Sequence, residues 1–588
     1  MTRTTDMPSG WSLPRSAWVM RGAAASGGTL AQRLMAARGI SVSEQDRYLK
    51  AGLGDLRPAR ELPGATDAAA LILDHVRAGR RMVVLGDYDV DGTAAAATLR
   101  HALRAIAPGV DLIIEIPHRA DGYGLTDDAV ARVLAHRPAL VITVDCGITA
   151  VAQVAALRAA GAAVAVLDHH ALRSDGVLPP ASVIAHPQRP DGHYGNPDLC
   201  ACAVTWKVCC ELMRLHAGES MNGELRKQLA QLLPLAAIAS VADVIPIHGE
   251  TRIIIRQGLE WFRSTDLPGL RVIAERIADV GASSSKVNSQ GVAFGIAPVL
   301  NAAGRMGHAG ICAELLGLSA GEPRARERAS AIIDELTKLN VERRMVQEKV
   351  SDQVLAMVKR DGLDQGDPTA VVLANADWPH ALVGIVAAKV IERTGRPALL
   401  GHVQPDGRVK CSGRSVAGWD IGAAIGRCGE WLESGGGHPM AAGATVRAGA
   451  FDAFAAALRD DAASALAGRS LKPSLPWDAI ASVGEVDCNA IDALQACGPF
   501  GQANPTPAFL FQGCRLAADA GHMKPGSPHL RVPIAQDGAR IDAVWFGAGD
   551  LATRLRRGVP CDVLAEANIN AWNGRRTPQL VIRDIKLA

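Results

Sequence analysis

A chain of 588 residues, 48% hydrophobic and 21% charged, has material for two to four domains with their own cores, since domains commonly run to about 100–200 residues. A formal net charge of +2 excludes a globally basic surface, so any contact with nucleic acid must be a local patch. With no apolar run of membrane-spanning length, no signal-peptide pattern and twelve mostly isolated cysteines, the composition reads as a cytoplasmic protein with reduced thiols.

In chain order, the polar opening MTRTTDMPSGWSLPRS is expected to be loose and starts an N-terminal extension, residues 1–60. From about 65 to 170, helical and strand patterns alternate: TDAAALILDHVRAG, RMVVLGD, TAAAATLRHALRAIA, DLIIEIP, TDDAVARVLAH, ALVITVDCG, TAVAQVAALRAAG and AVAVLDHH. This alternation predicts βαβ units and a parallel sheet, whose ligands sit at the carboxyl ends of the strands. LCACAVTWKVCCELM reads as an apolar helix in which Cys200, Cys202, Cys209 and Cys210 pack rather than bind metal, because tetrahedral sulfur sites use separated CxxC pairs. Residues 226–360 read as mainly helical and end in a long polar helix, 326–362, expected to connect two domains with its surface in solvent. A second α/β pattern starts at AVVLANADW and runs to about 470. The last segment, 475–588, has short strand-like runs between turns and suggests a small β-barrel.

The acids fall where strands end. Asp87, Asp89 and Asp91 follow one strand, Asp145 ends another, and Asp168, His169 and His170 end a third. A lone DxD is a turn signal. Three acid clusters on one sheet edge are harder to satisfy, because neighbouring carboxylates raise one another's pKa unless cations neutralise them. Oxygen ligands suit Mg²⁺ or Mn²⁺, and an imidazole tilts the choice toward Mn²⁺. Two such ions about 3.5–4 Å apart activate water and stabilise the leaving oxygen of a phosphodiester. Gly92 suits the tight turn into the following helix.

DYDVDG (87–92), VDCG (144–147) and LDHH (167–170) resemble the successive motifs of the DHH phosphoesterase superfamily. PHRADGYGL (117–125), SVADVIPI (240–247), PVLNAAGRM (298–306), WPHALVGIVAAK (378–389), CSGRSVAGWDI (411–421), SGGGHPMAAG (434–443) and GPFGQANPTPAF (498–509) follow in order. They are similar to that superfamily's bacterial single-strand-specific 5′-to-3′ exonuclease branch, from about residue 60 to the C-terminus. The implied fold is α/β: a parallel-sheet DHH domain (61–325), the connecting helix (326–362), a smaller α/β DHHA1 domain (363–470) and a C-terminal OB-like β-barrel (475–588).

The resemblance implies Asp87, Asp89, Asp91, Asp145, His169 and Asp243 as ligands of two divalent ions, Mn²⁺ or Mg²⁺. His170 joins the catalytic group, and Asp168 orients the histidines. Arg119 is implied at the scissile phosphate, and His438 as a catalytic group facing the metal site across the cleft between the two domains. Arg305, Ser412 and Arg414 are implied to gather the 5′ terminal phosphate, for which a hydroxyl and two guanidiniums are apt donors. The glycine run before His438, with Gly436 and Gly437, would form an anion nest. In the barrel, Trp545, Phe546 and Trp572 read equally as base-stacking platforms or as core, while Lys524, Arg531, Arg575 and Arg576 would track phosphates.

The implied activity is degradation of single-stranded DNA to 5′ mononucleotides by two-metal hydrolysis, in recombinational and mismatch DNA repair. A single-stranded-DNA-binding protein and a helicase are the implied partners of a monomer with no membrane contact. Two other readings stay open: a DHH phosphodiesterase of short oligonucleotides or cyclic dinucleotides, whose chains lack the OB-like tail, and a non-catalytic strand-binding module. The intact DxDxD, Asp145, DHH and Asp243 argue against the second. The chain departs from the branch's pattern at WPHALVG, where Trp-His-Pro-Gly-Val-Val-Gly is usual, at CACAVTWK, at AHPQ with His186, and at Leu85. These departures bear on secondary contacts near 185–205 and 377–381 and leave the principal ligands in place.

Overall fold

A computed structural model describes residues 16–22, 27–122, 124–218, 221–276, 287–366, 369–469, 474–572 and 574–588. Most of the polar opening lies outside them, as does Tyr123 of PHRADGYGL. The chain forms two compact units, one of Met20–Asn340 with Trp477–Arg583, the other chiefly of Val341–Pro476.

The first unit is built on five parallel strands, β1 (Met82–Gly86), β2 (Leu112–Glu115), β3 (Leu140–Val144), β4 (Ala163–Leu167) and β5 (Val183–Ala185), in the order β2-β1-β3-β4-β5. Its helices include α1 (Ala65–Arg77), α2 (Val90–Ile106), α3 (Asp127–Ala135), α4 (Val151–Ala159), α5 (Ala201–Ala217), α6 (Gly223–Ala242) and α7 (Ala297–Met306). Alternate strand residues serve two cores, as the period-two geometry of a strand requires. Met82, Val84, Leu140, Ile142 and Val144 pack with α1, α2 and α5, while Val83, Leu85, Val141, Val164 and Val166 pack with Val130, Val133, Val154 and Leu157 of α3 and α4. Burial on both faces of β1, β3 and β4 explains why those strands read as uninterrupted apolar runs. The thiols of Cys200, Cys202 and Cys209 lie in this core, as expected, and burial pushes their pKa values up.

The long helix, α8 (Ala325–Arg360), is less solvated than its composition suggests. Ala329, Ile332, Ile333 and Leu336 bury in the core of the first unit. Val350, Val354 and Val358 bury in a core of the second. Between these stripes the large apolar side chains of Val341 and Met345 face solvent.

The second unit holds β6 (Val371–Asn375), α9 (His380–Thr394), β7 (Ala398–Val403), β8 (Val409–Arg414), α10 (Ile421–Arg427), β9 (Leu432–His438), β10 (Ala441–Val446) and α11 (Phe451–Leu466). The sheet order is β9-β10-β8-β7-β6, with only β6 and β7 parallel. Gly436 and Gly437 therefore lie in an exposed strand, paired with Gly443 and Ala442, and not in a nest. A nest needs successive amides turned to one side, whereas strand amides alternate. A Cβ on Gly437, where φ is 150°, would lie 2.5 Å from the Cα of Ala442, so glycine is required for the strands to meet.

In the C-terminal segment, β11 (Phe509–Leu516), β12 (Ile534–Gln536), β13 (Ala539–Trp545), β14 (Pro560–Trp572) and β15 (Arg575–Leu587) pair in a ring, β11-β14-β15-β13-β12 and back to β11. Closure removes free sheet edges, the property of an OB-type barrel. The N-terminal extension is partly structured: its helices Leu30–Ala37 and Val42–Lys50 join this barrel segment to the parallel-sheet part of the same unit. Arg38 Nη2 donates to Pro505 O at 2.6 Å, Tyr48 Oη donates to Cys497 O at 2.8 Å, and the Arg252 guanidinium lies 3.7 Å from the centre of the Tyr48 ring. Among the described residues, no helix is long and apolar enough to cross a membrane.

Candidate metal centre

The carboxyl ends of β1, β3 and β4 bring the acids together. Asp87 follows β1, and Asp89 caps α2, its Oδ1 accepting from the amides of Asp91 at 2.8 Å and Gly92 at 3.2 Å. Gly92 is needed for closeness rather than for turn geometry: a Cβ there would lie 2.4 Å from the amide nitrogen of Asp87. Asp145 follows β3 with a left-handed backbone, φ 64°. Asp243 ends α6 and precedes Val244, a β-branched residue at φ 58°. Strain of this kind persists where surrounding structure enforces it, commonly at functional sites.

His169 is the hub. Its Nε2 lies 3.3 Å from Asp145 Oδ1, 3.5 Å from Asp243 Oδ2 and 3.7 Å from Asp91 Oδ2. Candidate ligand atoms fall into three overlapping groups, Asp87/Asp89/Asp145, Asp91/His169/Asp243 and Asp145/His169/His170, each with its atoms within 4.8 Å of one another. Asp87 Oδ1, Asp145 Oδ1 and His169 Nε2 are buried and make no hydrogen bond. Orphaned buried acceptors of one sign are costly unless a cation takes them up, and an oxygen-rich set with one or two imidazoles suits Mg²⁺ or Mn²⁺.

The electrostatics agree. Burial, then the charge of Asp89, pushes Asp87 up to about 8; burial, then Asp91 and Asp89, does the same to Asp243. Burial and the neighbouring acids hold Asp145 well above the ordinary carboxylate range, and burial also raises Asp91. His169 is lowered by burial. Burial opposes protonation of His170, but its bond from Nδ1 to Asp168 Oδ1, at 2.8 Å, raises it to about 9. Asp168 also accepts from the amides of His169 and Ile148, at 2.7 and 3.0 Å, and is held below the ordinary range against the effect of burial.

Asp91 has a second task that its motif does not reveal. Its Oδ2 accepts from the Ala201 amide at 2.7 Å and its Oδ1 from the Cys202 amide at 2.8 Å, so this buried carboxylate caps α5. The CACAV stretch thus begins a helix on the metal cluster itself. Arg119 lies 4.6 Å from the centre of the Tyr88 ring, and among the described residues it forms no ion pair with a carboxylate. Tyr88 also feels the charge of Arg305 on α7, and Asn301 of the same helix accepts from the Val90 amide at 3.2 Å. His186 is fully buried; its Nδ1 accepts from the Gln188 amide, so its Nε2 donates to His170 O at 2.9 Å.

The other expected site residues belong to the second unit: Ser412 and Arg414 half-buried on β8, and exposed Gly436, Gly437 and His438 on β9. In the barrel, Trp545 is core, 3% exposed, which removes it as a stacking platform, whereas Phe546 is 56% exposed and meets His529 edge-on. Arg531 pairs with Asp542 and Arg576 with Asp492, each at 2.6 Å. The side chain of Trp572 lies outside the described residues.

A parallel sheet with an acid-and-imidazole cluster at its carboxyl edge, followed by a second α/β unit, defines a DHH phosphoesterase. Residues 81–237 match the DHH family N-terminal domain, 367–464 the DHHA1 domain and 477–584 the RecJ OB domain. The chain is 33% identical over 558 residues to the single-stranded-DNA-specific exonuclease RecJ of Bacillus subtilis (strain 168), covering 94% of this chain and 67% of that one. It is also similar to crystal structures of RecJ from Thermus thermophilus. The complex with Mn²⁺ gives a TM-score of 0.76 at 28% identity, covering 95% of this chain and 75% of that one. The complex with Mg²⁺ gives 0.71 at 25% identity, covering 97% and 78%. The chain belongs to the RecJ family of single-stranded-DNA-specific exonucleases.

Proposed function

We propose that this chain hydrolyses single-stranded DNA from its 5′ end, releasing 5′ mononucleotides with the help of two divalent ions, Mn²⁺ or Mg²⁺. The observation that carries the reading is the set of buried, unpartnered ligand atoms of Asp87, Asp145 and His169, in a chain of the RecJ family. Asp87, Asp89 and Asp145 would hold one ion; Asp91, His169 and Asp243, with Asp145 and His170 adjoining, would hold the other. Bound there, the ions supply an activated water and stabilise the charge on the leaving oxygen.

The chain's own side chains do the rest. Asp168 fixes the ring of His170 through Nδ1, and the Tyr88 ring supports Arg119, whose guanidinium would donate to a non-bridging phosphate oxygen. Arg305, Ser412 and Arg414 would receive the terminal phosphate and so select the 5′ end, with His438 contacting the strand. Domain limits near 61–325, 326–362, 363–470 and 475–588 suit these roles, with the barrel holding the trailing strand. We assign the work to recombinational and mismatch repair in the cytoplasm, by a monomer served by a single-stranded-DNA-binding protein and a helicase.

The test uses purified protein, Mn²⁺ or Mg²⁺, and one single strand labelled at either end. Asp243→Ala serves as the inactive control, because Asp91→Ala would also uncap α5. Labelled mononucleotide from the 5′ end alone, with duplex spared, is expected. Cutting confined to fragments of a few residues would move the chain to the oligonucleotide phosphodiesterases, and tight binding without cutting would make it a strand-binding module.

A further inference from the structure

Gly384 stands inside α9, a helix of 15 residues, where glycine is less favourable than alanine. Several helical glycines here have a backbone reason. A Cβ on Gly269 would lie 2.1 Å from Leu315 O, one on Gly258 2.7 Å from Leu233 O, and one on Gly304 2.6 Å from Tyr88 O. Gly384 differs: the atoms its Cβ would meet are Ser412 Oγ at 2.7 Å, Ser412 Cβ at 3.5 Å and Arg414 Nη2 at 3.5 Å, all in side chains of β8. None of these is a backbone atom that would require the glycine. What its bare Cα makes room for is the Ser412 hydroxyl itself, with the Arg414 guanidinium beside it.

Those two groups have the chemistry to receive an anion. Lys410, Ser412 and Arg414 alternate with buried Val409, Cys411 and Gly413, so the three share one face of β8. Arg414 is partly desolvated, donates from Nη1 to Gly413 O at 2.8 Å, and has no carboxylate partner among the described residues. A desolvated guanidinium without an acid, beside a hydroxyl, is a ready receptor for phosphate oxygens.

We propose that Gly384 is a specificity-determining residue: its missing side chain keeps the Ser412 hydroxyl and the Arg414 fork turned toward a terminal phosphate monoester. The inference rests on reading Ser412 and Arg414 as the 5′-phosphate pocket. A Cβ at this position displaces Ser412 Oγ, which rotates away without moving the backbone, so the fold survives while the hydroxyl is misplaced.

Gly384→Ala is therefore expected to keep or raise Tm, as alanine in a helix should. It is expected to raise KM for a 5′-phosphorylated single-stranded oligonucleotide about tenfold, the effect of losing one hydrogen bond to a charged group. The preference for the phosphorylated over the 5′-hydroxyl oligonucleotide falls with it. In a Ser412→Ala background there is no hydroxyl to displace, so Gly384→Ala adds nothing. An unchanged preference in Gly384→Ala, or an undiminished effect in the Ser412→Ala background, overturns the assignment. If Ser412→Ala and Arg414→Met themselves leave the preference intact, the pocket reading fails and the inference falls with it; if they abolish it and Gly384→Ala does not, only the role of Gly384 fails.

Discussion

The carboxyl edge of the first unit's sheet and the Ser412–Arg414 face of β8 in the second are opposite electrostatic problems. At the first, five aspartates and two histidines converge, and burial drives Asp87 and Asp243 up to about 8. At the second, the Arg414 guanidinium is partly withdrawn from water with no carboxylate partner among the described residues, and burial lowers its pKa. The acid cluster suits divalent cations, and on the reading proposed above the guanidinium would take a phosphate. A stabilising ion pair would need neither. Regions that keep like charges buried are built for something that arrives later.

The largest expected effect breaks the acid side. Asp145→Asn removes a carboxylate shared by two of the three ligand groups, and we expect activity to fall by at least about 10³-fold, read as kcat on a single-stranded oligonucleotide. Asp91→Ala should lose activity and also stability. It strips acceptors from the buried amides of Ala201 and Cys202, an effect of about 2–3 kcal/mol in urea denaturation. A mere metal ligand would cost activity alone, so the two variants separate ligation from helix capping.

Next comes pH. Without cations, Asp87 and Asp243 have folded-state pKa values above their ordinary 3.8, so they favour the folded state at low pH and penalise it increasingly as pH rises toward about 8. Divalent ions bind the deprotonated form. The rise in Tm on adding Mn²⁺ should therefore be larger near pH 8 than near pH 6, checked by thermal denaturation; an equal rise at both would contradict the raised values. The smallest effect is that of Tyr88→Leu, which removes the ring under Arg119. About a fivefold loss of kcat/KM is expected, corresponding to a cation–π contact of about 1 kcal/mol, with most activity kept by Tyr88→Phe.

Much of the first unit was legible because its strands are buried on both faces and read as apolar runs between helices. The exception, β5, has only three residues and follows two prolines. β11 begins at Phe509, where a stretch read for its motif ends, and of the two N-terminal helices Leu30–Ala37 is only eight residues long while Val42–Lys50 has few apolar residues to betray it. At the site, the strand-end aspartates and the DHH run announced themselves by clustering in the sequence. Asp243 did not: it ends a helix, as many aspartates do, and only the resemblance singled it out. Tyr88, Gly384 and the capping role of Asp91 depend on contacts with residues 31, 28 and 110 positions away, to which local pattern is blind. The three glycines before His438 misled for the opposite reason, since a local turn signal was overridden by pairing with β10.

The measurement that tests the central claim most directly is titration of the purified chain with Mn²⁺, followed by calorimetry and electron paramagnetic resonance. Two ions per chain are expected for the wild type, one for Asp243→Ala, which spares the Asp87/Asp89/Asp145 group, and weakened binding of both for Asp145→Asn. A wild-type chain that takes up no Mn²⁺, or an Asp145→Asn variant that still binds two ions with unchanged affinity, would contradict the account.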